Sequence, residues 1–171
     1  MSSSFFTIPL LLCALLWTLL ITSLIGNVMA NNINASSSAT MAINFTMFVA
    51  AWAWVTALFG LAAALISSLA IPFLLLALNG LAVLFTLVSA IVLSAKLGAP
   101  NCGHIRNEPR NWIAYGSSNN TKRCREIQAS TVFMWFLFAT FVVSTLFAVK
   151  LLRSSRTRGS STQPSMSQTR V

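Results

Sequence analysis

The first 95 residues of the chain carry no charged side chain, because every Lys, Arg and Glu lies at or after Lys96 and the chain has no Asp. A water-soluble fold with such a charge-free half would leave large apolar patches in solvent, so the net charge of +9 does not indicate a nucleic-acid-binding globule. The composition agrees, with 56% hydrophobic and 8% charged residues, against roughly 25% charged in soluble domains. The chain is therefore predicted to be a membrane protein without a nucleic-acid partner.

Four apolar runs are long enough to cross a bilayer as helices. A hydrocarbon core about 30 Å thick needs roughly 20 apolar residues at 1.5 Å per residue. The runs cover about residues 5–29, 41–66, 69–95 and 130–152. The sequence thus predicts an all-α bundle of four transmembrane helices, one domain over residues 1–152. It also predicts an outer loop at 96–129 and a disordered, basic, Ser/Thr-rich tail at 153–171.

A cleaved signal peptide is the competing interpretation of the first run. Val28, Met29 and Ala30 place small residues where cleavage favours them. The apolar stretch is nevertheless longer than a signal peptide needs, and residues 1–4 contain no Lys or Arg. A transmembrane helix is therefore the preferred interpretation.

The two polar ends of the predicted bundle differ little in charge. The tail, counted from Lys150, has five Lys or Arg, and residues 96–128 have six with two Glu. The tail has more Lys and Arg per residue than the loop, which predicts that both termini are cytoplasmic. Both loops then lie outside the cell, together with the candidate glycosylation acceptors Asn34 and Asn119.

Two of the three cysteines lie in the long loop. Cys102 and Cys124 delimit a loop of 23 residues, both cysteines included, and a disulfide closing such a loop contributes about 3 kcal/mol in the chain-entropy model. A zinc site from Cys102, His104 and Cys124 is the sharper alternative, but no fourth ligand is evident. Free thiols are the third interpretation, and the disulfide is preferred.

Side chains suited to catalysis or ion transport are scarce. No ionisable residue other than cysteine falls within the first three runs, which disfavours proton pumps and ion carriers but leaves a passive pore for neutral solutes open. The candidate acids and bases His104, Glu108 and Glu126 share one loop with no nucleophile pairing. The sequence therefore predicts no enzyme, no cofactor and no metal.

A stripe of small residues runs along the second span in steps of four and three, and a shorter stripe follows on the third. Small side chains let membrane helices approach closely. The predicted packing seam contains Thr46, Ala50, Ala53, Ala57, Gly60, Ala64, Asn79, Ala82 and Thr86. It packs either the second span on the third or two copies of the chain together. Asn79 lies within the membrane, where its amide either bonds to Thr18, Thr56 or Ser144 or contacts a lipid or substrate.

Aromatic residues are concentrated in two places. Phe133 and Phe136 are among those crowding the fourth span, where they form either ordinary lipid-facing surface or a wall for sterol. Trp112 and Tyr115 in the outer loop fit the pattern of interfacial anchors.

The basic tail begins directly after the fourth span. Lys150, Arg153, Arg156 and Arg158 are predicted to contact anionic lipid, each contributing about 1 kcal/mol near a charged leaflet. Phosphorylation of neighbouring serines would cancel this attraction. A plain stop-transfer cluster is the alternative interpretation.

Taken together, these features resemble the fungal non-classical export protein family of MARVEL-domain tetraspan proteins. The resemblance covers about residues 41–150 and rests on Ile43, Asn44 and 47–60 in the second span and on 72–93 in the third. Its most specific part combines Cys102 with the loop residues that precede the fourth span, namely Thr121, Arg123, Cys124, Arg125, Gln128 and Ala129.

The resemblance implies a MARVEL-like, multi-pass plasma-membrane protein of furrow-like domains, associated with eisosomes and linked to the response to sphingolipid. We expect a non-enzymatic organiser of such microdomains, whose partners are membrane lipids, a second copy of the chain and eisosome-type proteins. A facilitator of transport or unconventional export is the alternative.

Overall fold

The computed structural model describes residues 2–66, 71–98, 101–103 and 111–159, and within these ranges the side chains from Thr7 to Lys150. Four α-helices make up the described chain: α1 (Ser2–Ala30), α2 (Ser37–Leu65), α3 (Pro72–Leu97) and α4 (Asn120–Gly159). Each contains a stretch long and apolar enough to cross a membrane. The predicted all-α architecture with four spans is confirmed.

Local capping explains why the helices extend beyond the apolar runs. α2 begins at Ser37 rather than near residue 41 because the Ser36 hydroxyl accepts a hydrogen bond from the Ala39 amide at 3.3 Å. α4 begins ten residues before the fourth apolar run because the Asn119 side chain accepts from the Lys122 amide at 3.0 Å. The connection between α3 and α4 is therefore residues 98–119 and not 96–129.

The other end of α4 corrects the predicted tail. Residues 153–159 continue the helix instead of being disordered. Arginine is a good helix former, and Gly159 is the first helix-breaking residue after the span. Residues 160–171 of the predicted tail lie outside the described residues.

The four helices pack as a ring in chain order. Contacts join α1 to α2, α2 to α3, α3 to α4 and α4 back to α1, and within the described residues the backbones of the diagonal pairs do not come within 8 Å between Cα atoms. At one end, Lys96 of α3 donates to Ser38 of α2 at 2.7 Å, and Asn27 of α1 donates to Glu126 of α4 at 2.5 Å. Neighbouring helices are therefore antiparallel. We call this end, with the 31–36 turn and the 98–119 loop, the loop end, and the opposite one the tail end.

Hydrogen bonds between side chains join successive helices within the apolar zone. They connect Trp54 to Thr22 at 3.1 Å, Ser89 to Thr46 at 3.2 Å and Trp135 to Ser94 at 3.3 Å. The α1–α4 contact that closes the ring instead uses stacked aromatic rings, with the Trp17 and Phe133 centroids 5.7 Å apart. Packing and polar contacts of this kind replace the hydrophobic effect as the attraction between helices in lipid.

Large apolar side chains lie mainly on the outside of the bundle, as expected for a protein surrounded by lipid. Exposed examples from each helix are Leu16, Leu19, Val55, Leu58, Leu84, Ile91, Phe136 and Leu146. Small residues fill much of the interior, so the backbones approach closely.

Candidate functional site

A buried arginine organises the loop end. Arg123 is only 2% exposed, and its Nε donates to the Ile113 carbonyl at 3.2 Å while Nη1 donates to the Asn32 side chain at 3.3 Å. Its Nη2 is buried and has no hydrogen-bond partner among the described residues. One guanidinium therefore joins α4, the long loop and the α1–α2 turn.

The sequence analysis used Arg123 as one cation of an outer loop and as part of the family resemblance, and its role in joining these segments was missed. The signal was the periodicity of α4, extended backwards from the membrane. Ile127, Met134, Leu137 and Phe141 are fully buried, and Arg123 lies on the same helical face one turn before Ile127. An extra turn of helix at the start of α4 thus carries the arginine into the core.

Glu126 lies beside this arginine on α4. Its carboxylate accepts from Asn27 at 2.5 Å and lies 3.7 Å from the Lys122 ammonium, and its side chain is 14% exposed. The carboxylate is thus used in holding α1 against α4. His104 and Glu108, the other candidate acid or base groups, lie outside the described residues.

A disulfide joins Cys102 to Cys124, whose Cα atoms are 5.7 Å apart. It ties the residues following α3 to the first turns of α4. Both sulfurs are used in this bond, so the alternatives of a zinc site or free thiols at these cysteines do not describe this structure. Cys124 is fully buried.

Trp112 is not an interfacial anchor, contrary to the sequence prediction. Its ring is 7% exposed, and its Nε1 donates to the Leu97 carbonyl at 2.9 Å. That carbonyl is at the end of α3, where no further helical amide is available to it. Tyr115 is half-buried and packs edge-on against Trp112, at 5.9 Å between centroids.

Two clefts meet at the loop end. The outer cleft, between α1 and α4, has a volume of about 500 Å³ and is lined by Leu24, Asn119, Thr121, Lys122, Arg125, Glu126 and Ala129. The inner recess, about 100 Å³, shares Asn119, Lys122 and Glu126 with it and reaches inward to Arg123. Asn27, Asn31, Ser117 and Ser118 add amides and hydroxyls to the recess wall. Together the clefts run from the side of the bundle to the buried guanidinium.

The small-residue seam lies between helices within the chain. Its buried members on α2 and α3 are Thr46, Ala50, Ala53, Ala57, Gly60, Asn79, Ala82 and Thr86. Ala64 is exposed instead, because it lies in the last turn of α2, beyond the level at which Leu11 of α1 covers Gly60. Since its other members are buried within one copy, this seam does not serve as an oligomer face.

Within the described residues, Asn79 does not bond to Thr18, Thr56 or Ser144, the interhelical partners that the sequence suggested. Its amide nitrogen donates to the Leu75 carbonyl of its own helix at 2.8 Å. Thr18 and Thr56 likewise donate to carbonyls of their own helices. The Asn79 Oδ1 atom is buried with no partner among the described residues.

The remaining predicted positions lie at the two ends of the bundle. Asn34 and Asn119 are both exposed at the loop end. Lys150 is exposed near the tail end, and Arg153, Arg156 and Arg158 belong to the helical extension of α4, where side chains lie outside the description.

Comparison with known proteins agrees with this architecture. The family model described as MARVEL, a membrane-associating domain, matches residues 4–147. "Non-classical export protein 2" of Saccharomyces cerevisiae is 32% identical over 129 residues, covering 75% of this chain and 73% of that protein. "Non-classical export protein 2 homolog 1" of the same yeast is 32% identical over 121 residues, 70% of this chain and 68% of that protein. No solved structure matches the chain. With four apolar helices and these relatives, the chain belongs to the MARVEL family and, within it, to the fungal non-classical export proteins.

Proposed function

We propose that this multi-pass membrane protein organises microdomains of the plasma membrane, of the furrow-like type associated with eisosomes, and that it performs no catalysis. The observation that carries the proposal is how the buried hydroxyl groups are used. Thr18, Thr46, Thr56 and Thr86 each donate to a carbonyl one turn earlier on their own helix, at 2.6–3.0 Å. Hydroxyls used in this way have no proton left to donate to a solute, which disfavours a polar path through the bundle.

The outer surface of the bundle supports the same proposal. Its apolar perimeter meets lipid on all four helices, and its polar groups are gathered at the two ends. A protein with this distribution acts on its surroundings by selecting neighbouring lipids and proteins. Its proposed partners are membrane lipids, sphingolipid or sterol among them, together with a second copy of the chain and eisosome-type proteins.

The tail end supplies the proposed contact with an anionic leaflet. Lys150 is exposed, and Arg153, Arg156 and Arg158 follow it on α4. Each cation near a negatively charged leaflet contributes about 1 kcal/mol. We propose that phosphates on Ser154 and Ser155, about −3 to −4 in charge, release this contact. The four apolar helices keep the protein inserted in either state.

The test is imaging of the tagged full chain at native expression, before and after acute sphingolipid depletion. We expect clusters at the plasma membrane that change on depletion. Replacing Arg153, Arg156 and Arg158 by Gln, or Ser154 and Ser155 by Glu, should reduce clustering. Arg170→Gln, which lies outside the basic group, is the matched control. An even distribution of the parent chain in cells would refute the organiser role.

A facilitator of export or transport is the second candidate, supported by the names of the two yeast relatives. Liposomes containing only this chain and a trapped neutral solute such as glycerol discriminate between the two. The organiser proposal predicts the same leakage as empty liposomes. Leakage that depends on the protein and is lost in Ala57→Leu would favour the transport function.

A further inference from the structure

We propose that the outer cleft and the inner recess together form a binding site for one phosphodiester lipid with a hydroxylated, uncharged headgroup. The phosphate would lie against Lys122 and Arg125, the headgroup in the recess before Arg123, and the acyl chains along the groove between α1 and α4. This site is at the loop end, opposite the basic tail, and binding to it is independent of the function proposed above.

Along the bundle axis, the outer cleft is positively charged at one end and apolar at the other, which matches the headgroup and acyl chains of a lipid. Lys122 and Arg125 are exposed cations on the first turns of α4, whereas Leu24 and Ala129 are half-buried apolar residues of the same cleft. Ala129 lies about 10 Å farther along the axis than Lys122, at 1.5 Å per residue. A phosphate at the cations therefore places hydrocarbon at the level of the apolar residues.

The groove continues into the membrane as an aromatic surface. Trp17 of α1 stacks on Phe133 of α4 with ring centroids 5.7 Å apart, and packs at a tilt of 37° against Phe136 at 5.4 Å. Phe136 is 49% exposed, so this surface faces the lipid rather than the bundle interior. It offers an acyl chain an apolar aromatic surface on the membrane side of the cleft.

The inner recess supplies the second, independent observation. A buried guanidinium is costly unless its donors are satisfied, and the Nη2 of Arg123 has no acceptor among the described residues. Asn31, Ser117 and Ser118 line the same recess. A headgroup hydroxyl that displaces the recess side chains covering Arg123 would supply an acceptor to Nη2, and the other hydroxyls of a headgroup such as glycerol would bond to these neutral groups. A choline headgroup would instead bring a cation beside the arginine.

Glu126 does not oppose an anionic ligand. Its carboxylate is held by Asn27 and faces Lys122 at 3.7 Å. Among the described residues that line the two clefts, Lys122, Arg123 and Arg125 outnumber it. Lys122 is 62% exposed and 3.7 Å from the carboxylate, and a long ion pair with one exposed partner is weak, so Lys122 can turn toward a phosphate at little cost.

The experiment is native mass spectrometry of the purified full chain, titrated with dioctanoyl phosphatidylglycerol, dioctanoyl phosphatidylcholine or glycerol phosphate. We expect one phosphatidylglycerol to bind at least about tenfold more tightly than phosphatidylcholine. The double variant Lys122→Gln, Arg125→Gln should lose about thirtyfold of that affinity, since each cation contributes about a factor of five. Both side chains are exposed, so folding should be unaffected.

Arg170→Gln, which removes a cation outside both clefts and outside the basic group of the tail, is the matched control and should retain the tight phosphatidylglycerol within about threefold. The tail variant with Arg153, Arg156 and Arg158 changed to Gln should lose only weaker, additional lipids. Leu24→Trp, which fills the apolar part of the cleft without changing its charge, should weaken phosphatidylglycerol binding. Equal affinity for the two lipids, or loss of tight binding in the tail variant but not in the cleft variant, would overturn the proposal. Glycerol phosphate binding as tightly as the lipid would also overturn it, by indicating a site for a soluble anion.

Discussion

Gly116 contacts the turn between α1 and α2 so closely that we expect an added methyl group to separate the two segments. An ideal Cβ on Gly116 would lie 2.4 Å from the Ala35 nitrogen and 2.5 Å from its Cα, and the residue has φ +101°. Backbone strain of this kind costs about 2 kcal/mol for a residue with a side chain. Losing the hydrogen bond from the Ile33 amide to the Gly116 carbonyl, 2.8 Å long, adds about 1 kcal/mol. Gly116→Ala should therefore destabilise the protein by about 3 kcal/mol.

Alanine substitutions at two other glycines distinguish the cost of the positive φ angle from the cost of the contact with Ala35. Gly98 has φ +70° and ψ −151°, a conformation that almost only glycine adopts, but no described atom lies within 4 Å of its Cβ position, so Gly98→Ala should cost only the strain of about 2 kcal/mol. Gly80 lies within α3 with no described atom near that position, and Gly80→Ala should be neutral or stabilise by up to about 1 kcal/mol. Reversible unfolding in detergent, followed by tryptophan fluorescence, measures all three. Equal destabilisation by Gly116→Ala and Gly98→Ala would show that the loop does not rest on the turn.

Two further predictions concern the packing seam and the disulfide. Ala57 is fully buried and Leu58 is 51% exposed. Ala57→Leu should therefore destabilise the protein by about 1–3 kcal/mol and Leu58→Ala by less than about 1 kcal/mol. Similar losses of folded protein in detergent for the two variants would contradict the assignment of the seam. Protein isolated from cells should show Cys102 linked to Cys124 in non-reducing peptide mass spectrometry, and changing both to Ser should cost about 3 kcal/mol of stability; two free thiols in the isolated protein would refute the disulfide.

The membrane spans could be predicted from the sequence because lipid imposes a simple length rule. The apolar runs marked the four helices, and the stripe of small residues marked the buried face of α2. The ends of the helices were harder to predict from the sequence. Caps at Ser36 and Asn119 add polar turns that hydropathy does not register.

The loop end was poorly predicted for a physical reason. Arg123 and Trp112 are residues that usually face water or the membrane interface, yet here both are buried. They are held by the carbonyls of Ile113 and Leu97, and those contacts depend on how the loop folds over the helix ends. Contacts of this kind join residues that are distant in sequence, so they produce no periodic pattern from which one sequence could predict them.

The lengths of the four helices bear on which membranes this protein prefers. The apolar runs of about 5–29, 41–66, 69–95 and 130–152 have between 23 and 27 residues, so the shortest is about 35 Å long as a helix. A typical hydrocarbon core is about 30 Å thick and that of a sterol-rich plasma membrane about 32–33 Å, and mismatch costs energy for each ångström. Because every helix is bound to two neighbours in a closed ring, one helix cannot tilt alone to shorten its span. The bundle must adjust as a unit, and we expect it to collect where the bilayer is thickest.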